Sequence, residues 1–183
     1  TFKQIRMRHT YDAYGNLTAS YADGDTAVPG DEKTTVTAFN INTNAWIVNT
    51  ASLVQTMDAS SNVVAQVRMF YDGATNAATL PVKGNLTSEE RWLNVPTPQW
   101  IGGRIACDTY GNPLVVTDPL GRSTTNAYDS TCTYLTSAAS ALGHRRTMTY
   151  DPRNGHVLTV KDQNNVTGIS SYDALGRKIA EAI

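Results

Sequence analysis

In the C-terminal half of this 183-residue chain, turn-like tetrapeptides recur on a nearly constant step. They are Asp108-Thr109-Tyr110-Gly111, Asp118-Pro119-Leu120-Gly121, Asp129-Ser130-Thr131-Cys132, Ser140-Ala141-Leu142-Gly143, Asp151-Pro152-Arg153-Asn154, Asp162-Gln163-Asn164-Asn165 and Asp173-Ala174-Leu175-Gly176. Their first residues stand at 108, 118, 129, 140, 151, 162 and 173, so the steps are 10, 11, 11, 11, 11 and 11. Such a period marks a repeat architecture and excludes folds whose elements vary freely in length.

The chemistry of D-x-x-G accounts for the period. An Asp in first place accepts backbone N–H bonds from residues further on, and Pro in second place (Pro119, Pro152) presets its dihedral. Gly in fourth place takes the left-handed conformation that closes a hairpin, and Asn165 is the non-glycine residue best suited to it. Removing a four-residue turn from an eleven-residue step leaves about seven residues of strand, roughly 23 Å. The sequence therefore predicts an all-β fold, an antiparallel meander of hairpins.

Alternate turns differ. The residue before Asp is Tyr128, Tyr150 and Tyr172 in every second turn, and Cys107 fills that place before Asp108, whereas Thr117 and Lys161 precede the intervening Asp residues. The full repeat is thus two hairpin arms of about 22 residues, and tyrosines one repeat apart are expected to stack as a ladder.

The N-terminal half carries the same elements less regularly. Tyr11-Asp12-Ala13-Tyr14-Gly15-Asn16-Leu17-Thr18 is a full match, Asp23-Gly24 falls eleven residues after Asp12, and Asp58 to Val63 fits with Ser61 in the glycine place. Tyr71-Asp72 recurs, but Gly84-Asn85-Leu86-Thr87 lies about ten residues too far on, which predicts an insertion across Gly73 to Val82. Alternation over Val63 to Tyr71 reads as a strand. Leu93 to Gly103, with Pro96, Pro98, Gly102 and Gly103, reads as a loop joining two stretches of repeats. The expected organisation is an irregular segment, 1–103, followed by a regular array, 104–183. The strand-like opening Thr1-Phe2-Lys3-Gln4-Ile5-Arg6 suggests a piece of a longer protein.

Composition agrees with many short strands. Charged residues make up 17%, His occurs three times, and the polar surface is supplied by 25 Thr and 14 Asn, residues that favour pleated surfaces and turns respectively. A net charge of −1 lacks the basic footprint of a nucleic-acid binder, and no apolar run approaches the ~20 residues of a membrane-spanning helix. Two cysteines, Cys107 and Cys132, are too few for a disulfide framework, and no zinc-ligand spacing occurs; one bridge or two buried thiols are both compatible with the sequence.

These residues resemble the Rhs/YD-repeat family, whose repeat reads roughly Y-D-x-x-G-[NR]-L followed by D-x-x-G-x-x-T. The clearest matches are Tyr11-Asp12-Ala13-Tyr14-Gly15-Asn16-Leu17, Asp118-Pro119-Leu120-Gly121-Arg122-Ser123-Thr124 and Tyr172-Asp173-Ala174-Leu175-Gly176-Arg177. The resemblance is strong over 104–183 and weak over 25–57 and 73–103. It implies a β-sheet that spirals into a hollow shell, as in bacterial Rhs proteins, teneurins and the B and C components of insecticidal toxin complexes. In the bacterial members the shell encloses a toxic C-terminal domain. The irregular repeats look like those of a toxin-complex B component or SpvB-like protein leading into the regular array. The resemblance thus implies flanking repeats of a larger parent chain and an enclosed toxin domain as partners, and a secreted or cell-surface location. Asp118-Pro119-Leu120-Gly121 superficially resembles the family's D-P-x-G protease motif, but it falls on the period with repeats continuing after it and is read as a turn.

No constellation for catalysis, cofactor or metal binding is found. A nucleophile needs a base within hydrogen-bond reach, and neither G-x-S-x-G nor a Cys–His context occurs. The turn role accounts for Asp12, Asp108, Asp118, Asp151, Asp162 and Asp173 together. His144-Arg145-Arg146 reads as a solvated strand end rather than an anion site, His9 and His156 as ordinary surface or strand residues, and the acidic Asp23, Asp25 and Asp31-Glu32 as loop solvation rather than calcium ligands. Trp46, Trp92 and Trp100 lie in or near the irregular segments, as fillers of core gaps or as contacts to carbohydrate or a partner. The expectation is a non-enzymatic architectural module. The alternative is a secreted or surface binding module, with unpaired sheet edges offering a route to self-association.

Overall fold

A computed structural model describes residues 3–94 and 97–183 of the chain; Thr1, Phe2, Val95 and Pro96 lie outside the described residues. The fold is all-β. Among the described residues fourteen strands follow in chain order: β1 Ile5–Tyr11, β2 Leu17–Asp25, β3 Lys33–Asn42, β4 Ile47–Met57, β5 Val63–Tyr71, β6 Leu86–Asn94, β7 Pro98–Cys107, β8 Pro113–Thr117, β9 Ser123–Tyr128, β10 Leu135–Ala139, β11 Arg145–Tyr150, β12 Val157–Lys161, β13 Thr167–Tyr172 and β14 Lys178–Ala182. Two units are distinguished, Thr1–Arg104 and Ile105–Ile183. Within each, successive strands pair antiparallel with their sequence neighbours.

The regular unit is built as its period dictates. Each of the seven tetrapeptides reverses the chain, the last six between strands of 5 to 6 residues and the first between the 10-residue β7 and the 5-residue β8. The strands of the first unit are longer, up to the 11 residues of β4, which is why its turns depart from the period.

Two segments differ from the sequence expectation. Leu93–Asn94 and Pro98–Gly103 are strand rather than loop. Trp92, Leu93 and Asn94 pair with Trp100, Gln99 and Pro98 in a β6–β7 hairpin, and Pro98 sits at the first position of its strand, one of the places where a strand tolerates proline. Gly102 lies against the β6 backbone, where an added Cβ would come within 2.2 Å of the Glu89 carbonyl. These residues permit a close strand pairing rather than breaking it. Likewise Asp23-Gly24 is no turn: β2 runs through to Asp25. Gly24, at φ 59°, sits where the β1–β2 register slips between Ile5/Asp25 and Met7/Ala22.

No helix and no covering layer is present among the described residues. Ala19, Phe70 and Met148 are the buried apolar strand residues, while Ile5, Met7, Ile169 and Ile179 are more than half exposed. The chain exposes 12185 Å², where a compact protein of its mass exposes about 8600 Å². Cross-strand pairing and turn chemistry must therefore supply the local stability that a two-layer core supplies elsewhere.

Candidate functional site: the repeat turns and the pocket beneath the insertion

The turn residues form one recurring network. In Asp12, Asp108, Asp118, Asp162 and Asp173 the backbone carbonyl accepts the N–H of the residue three on, and the backbone N–H donates to the carbonyl four on. The fourth residue is left-handed: Gly15, Gly111, Gly121, Asn165 and Gly176 have φ between 66° and 91°. Each Asp then closes the loop with its side chain. Oδ1 accepts the N–H groups of residues two and four on, as Asp108 does from Tyr110 (2.8 Å) and Asn112 (2.9 Å), and as Asp12, Asp118, Asp162 and Asp173 do likewise.

Oδ2 explains the Asn or Arg after the glycine. It accepts from Asn16, Asn112, Arg122 and Arg177 at 2.7–2.9 Å. The asparagines do more than the arginines. Asn16 Nδ2 also donates to the Val48 carbonyl (2.6 Å) and Asn112 Nδ2 to that of Cys132 (2.7 Å), so each braces its turn against another segment 32 or 20 residues on.

Such bonds hold the carboxyls of Asp108 and Asp118 below the ordinary carboxylate range. Bonding from the Asn112 side chain lowers Asp108, and the backbone N–H of Arg122 lowers Asp118. Asp129, bonded by the Thr131 hydroxyl and the N–H groups of Tyr134 and Thr133, falls to about 2. The Arg153 guanidinium takes Asp151 to about 2 as well. An acid held this far below neutrality is a hydrogen-bond anchor and not a proton donor.

The tyrosine margin differs from the expected ladder. Tyr150 stacks on Tyr134 (5.0 Å between centroids, 18°) and Tyr172 on His156 (4.4 Å, 10°). The ring beneath each tyrosine is thus the residue six after the preceding YD tyrosine, not that tyrosine itself. His156 is accordingly a stacking residue, and Gly176 covers it so closely that a Cβ there would lie 2.6 Å from Nε2.

The hydroxyls form a device not expected from the sequence. Tyr150 Oη donates to the Leu135 carbonyl, Tyr172 to Val157 and Tyr71 to Ala51, each at 2.9 Å. In every case the acceptor precedes a residue inserted into one strand. Thr136 is skipped between the pairs Leu135/Tyr128 and Ser137/Ala127, Leu158 between Val157/Tyr150 and Thr159/Thr149, and Ser52 between Ala51/Phe39 and Leu53/Ala38. A bulge disrupts the ladder locally, and the tyrosine of the next repeat bonds the carbonyl beside it. Only the 22-residue spacing of Tyr carried this signal.

No disulfide joins Cys107 and Cys132, both half-buried, and Cys132 occupies the left-handed turn position at φ 54°. Asp23 bonds Arg6 and Arg8 and lies at about 2 through those two guanidinium groups, which makes it an ion-pair partner. Arg145 reaches Ser137.

The tryptophans separate. Trp46 stands on the β3–β4 turn at φ 53°, 73% exposed, edge-on to Tyr14. Trp92 and Trp100 face each other across β6–β7, both half-buried.

The insertion is anchored by one carboxylate. Asp72 Oδ2 accepts the N–H groups of Val82, Lys83 and Gly84, and Oδ1 that of Asn85 (2.7–3.1 Å). Asn40 donates to the carbonyls of Ala77 and Thr79 and Asn42 to that of Pro81, drawing the insertion onto β3. Pro81 is fully buried. An open pocket of about 380 Å³ lies between Asn76, Ala77 and Ala78 and the sheet residues Ala38, Gln66 and Trp100.

No protein-family model matches the chain, and comparison with curated proteins finds no match. Solved structures do match. The crystal structure of TcdB2-TccC3 aligns with 96% of this chain at TM-score 0.66 and 16% identity, over 9% of its own length. The structure of the Photorhabdus luminescens Tc holotoxin pore aligns at TM-score 0.31 and 13% identity, and TcdB2-TccC3 without its hypervariable C-terminal region at the same two values. They cover 96% and 97% of this chain and 14% of each partner. The chain spans about a tenth of the length of the first structure it matches, and at this identity what it shares with that Tc-toxin chain is the fold.

Proposed function

We propose that this chain is a non-enzymatic wall segment of a larger Rhs/YD-repeat polypeptide of the toxin-complex kind. One observation carries the reading: the bonds that fix each repeat run to the next repeat and not to a second layer. The tyrosine of one repeat stacks on, and donates to, the repeat before it. A unit secured in this way extends indefinitely along the sheet and leaves both faces uncovered, which suits a wall. The fold likeness to TcdB2-TccC3 over 96% of the chain supports the same role, although a fold by itself does not fix a function.

On this reading the partners are flanking repeats of the parent chain and an enclosed toxic domain, and the location is the bacterial surface or beyond. The aspartates that a catalytic reading would recruit are engaged in turns, and the module needs no activity of its own. Electron cryomicroscopy of the polypeptide that contains this chain tests the proposal. The expected result is a continuous sheet that carries these strands in the wall of a cavity. A separate domain tethered by flexible linkers, or hydrolytic activity of the purified chain that survives loss of the turn network, would overturn it.

A further inference from the structure

We infer that the pocket beneath the insertion is a binding subsite for a neutral carbohydrate, of one or two pyranose rings. The inference is independent of the wall role, because none of the pocket residues belongs to the repeat turns. The volume of about 380 Å³ falls within the range of small-ligand sites, about 300–1,000 Å³. The apolar lining consists of Ala38, Leu53, Ala77, Ala78 and the Trp100 indole, small and aromatic surfaces against which the C–H face of a sugar ring packs.

The polar lining selects against charge. Arg68 lies over the Trp100 ring, 4.1 Å from its centroid, and its Nε and Nη2 both bond Glu90 Oε2 at 2.6 Å. An anion would have to displace Glu90 from a guanidinium that is already neutralised and stacked. What remains for a ligand is a set of uncharged hydrogen-bonding groups. The Gln66 amide makes no hydrogen bond within the chain, and neither does the Asn76 Nδ2, whose Oδ1 accepts the Ala78 N–H. Gln66 supplies both a donor and an acceptor, Asn76 a donor, and the remaining Arg68 N–H groups further donors. Hydroxyl groups, each donor and acceptor at once, match this mixture; a phosphate or carboxylate, acceptor only, does not.

The site is also held in shape. Asp72, Asn40 and Asn42 fix the insertion by seven hydrogen bonds, so the wall formed by 76–78 is in place before a ligand arrives and little ordering is required on binding.

The test titrates the full chain with methyl β-D-glucopyranoside, N-acetylglucosamine and maltose, read by tryptophan fluorescence and calorimetry. Inorganic tripolyphosphate and N-acetylprolinamide serve as the anionic and peptide-like arms. At least one sugar is expected to saturate with a Kd of about 1 mM or tighter, unchanged between about 0.05 and 0.5 M salt because the ligand is neutral. Gln66→Leu, which sacrifices no bond within the protein, is expected to weaken that sugar about fivefold to tenfold with an unaltered circular-dichroism spectrum. Trp100→Phe is expected to abolish the fluorescence response and weaken the calorimetric affinity. Failure of all three sugars to saturate, saturation by tripolyphosphate or N-acetylprolinamide alone, or sugar binding indifferent to Gln66→Leu would each overturn the inference, while leaving the wall reading untouched.

Discussion

At the residue scale the fold rests on a carboxylate and a left-handed position, repeated. The first consequence concerns acid. Asp129 and Asp151 titrate near 2 in the folded chain, and Asp58, Asp108, Asp118 and Asp173 are also lowered, against about 3.9 in an unfolded chain. Their folded values are depressed, so their contribution is complete above about 4 and disappears as pH falls from there towards 2. The urea midpoint should hold steady from neutrality to about pH 5 and then drop steeply, and Asp129→Asn should flatten that drop. An equal acid dependence in the variant would contradict the anchoring role. The second consequence concerns the turn glycines. Gly121 faces open space, whereas a Cβ on Gly176 would strike His156. Gly121→Val should cost at least ~1 kcal/mol and Gly121→Asn clearly less, while Gly176→Asn should be the costlier of the two Asn variants. Chemical denaturation of the three proteins measures this order.

At the element scale, the hairpin arms on the two margins are not equivalent. Arms ending in Tyr-Asp carry an inserted residue after the turn, and the pairs Thr117/Ser123 and Val116/Thr124 on the other margin continue without one. The insertion increases local twist, and the tyrosine of the following repeat bonds the carbonyl beside it. Tyr150→Phe removes the bonds from the hydroxyl to the Leu135 carbonyl and to Met148 Sδ and should cost about 1 kcal/mol. Tyr150→Ala also removes the ring from Tyr134 and should cost about 2–4 kcal/mol. Melting curves of the two variants separate these contributions; an unstable Phe variant equal to the Ala variant would show that the hydroxyl, not the stack, holds the arm. The expected tyrosine-on-tyrosine ladder failed for a geometric reason. Residues one repeat apart lie two strands apart, nearly 10 Å at ~4.8 Å per strand, too far for ring contact, and Tyr134 or His156 occupies the interval.

At the scale of the whole molecule, the uncovered faces and the sheet edges dominate behaviour. β1 bonds only β2 and β14 only β13 among the described residues, so each presents an open row of backbone groups. The purified chain should sediment as a monomer when dilute and form larger species as concentration rises, accompanied by increased binding of a hydrophobic dye. A concentration-independent sedimentation profile up to ~100 µM would show that charge on the edge strands, such as Arg6, Arg8 and Glu181, suffices to block pairing.

The fold class was fixed by local chemistry, because Asp, Gly and Asn at regular spacing specify turns without help from distant residues, and an eleven-residue step leaves room for little besides a strand. The same chemistry located Asp12, Asp108, Asp118, Asp162 and Asp173 and the insertion after Asp72. What depended on partners far along the chain was not legible. Proline and glycine between Leu93 and Gly103 signal a loop locally, yet a long hairpin forms because β6 offers a complementary edge and Gly102 lets the backbones approach. His156 has no sequence mark as a stacking residue, since its ring acquires a role only where Tyr172 arrives from the next repeat. Gln66, Arg68 and Trp100 are brought to one pocket by strand register and by an insertion folded back over them, and register is a property of the paired sheet rather than of any single strand.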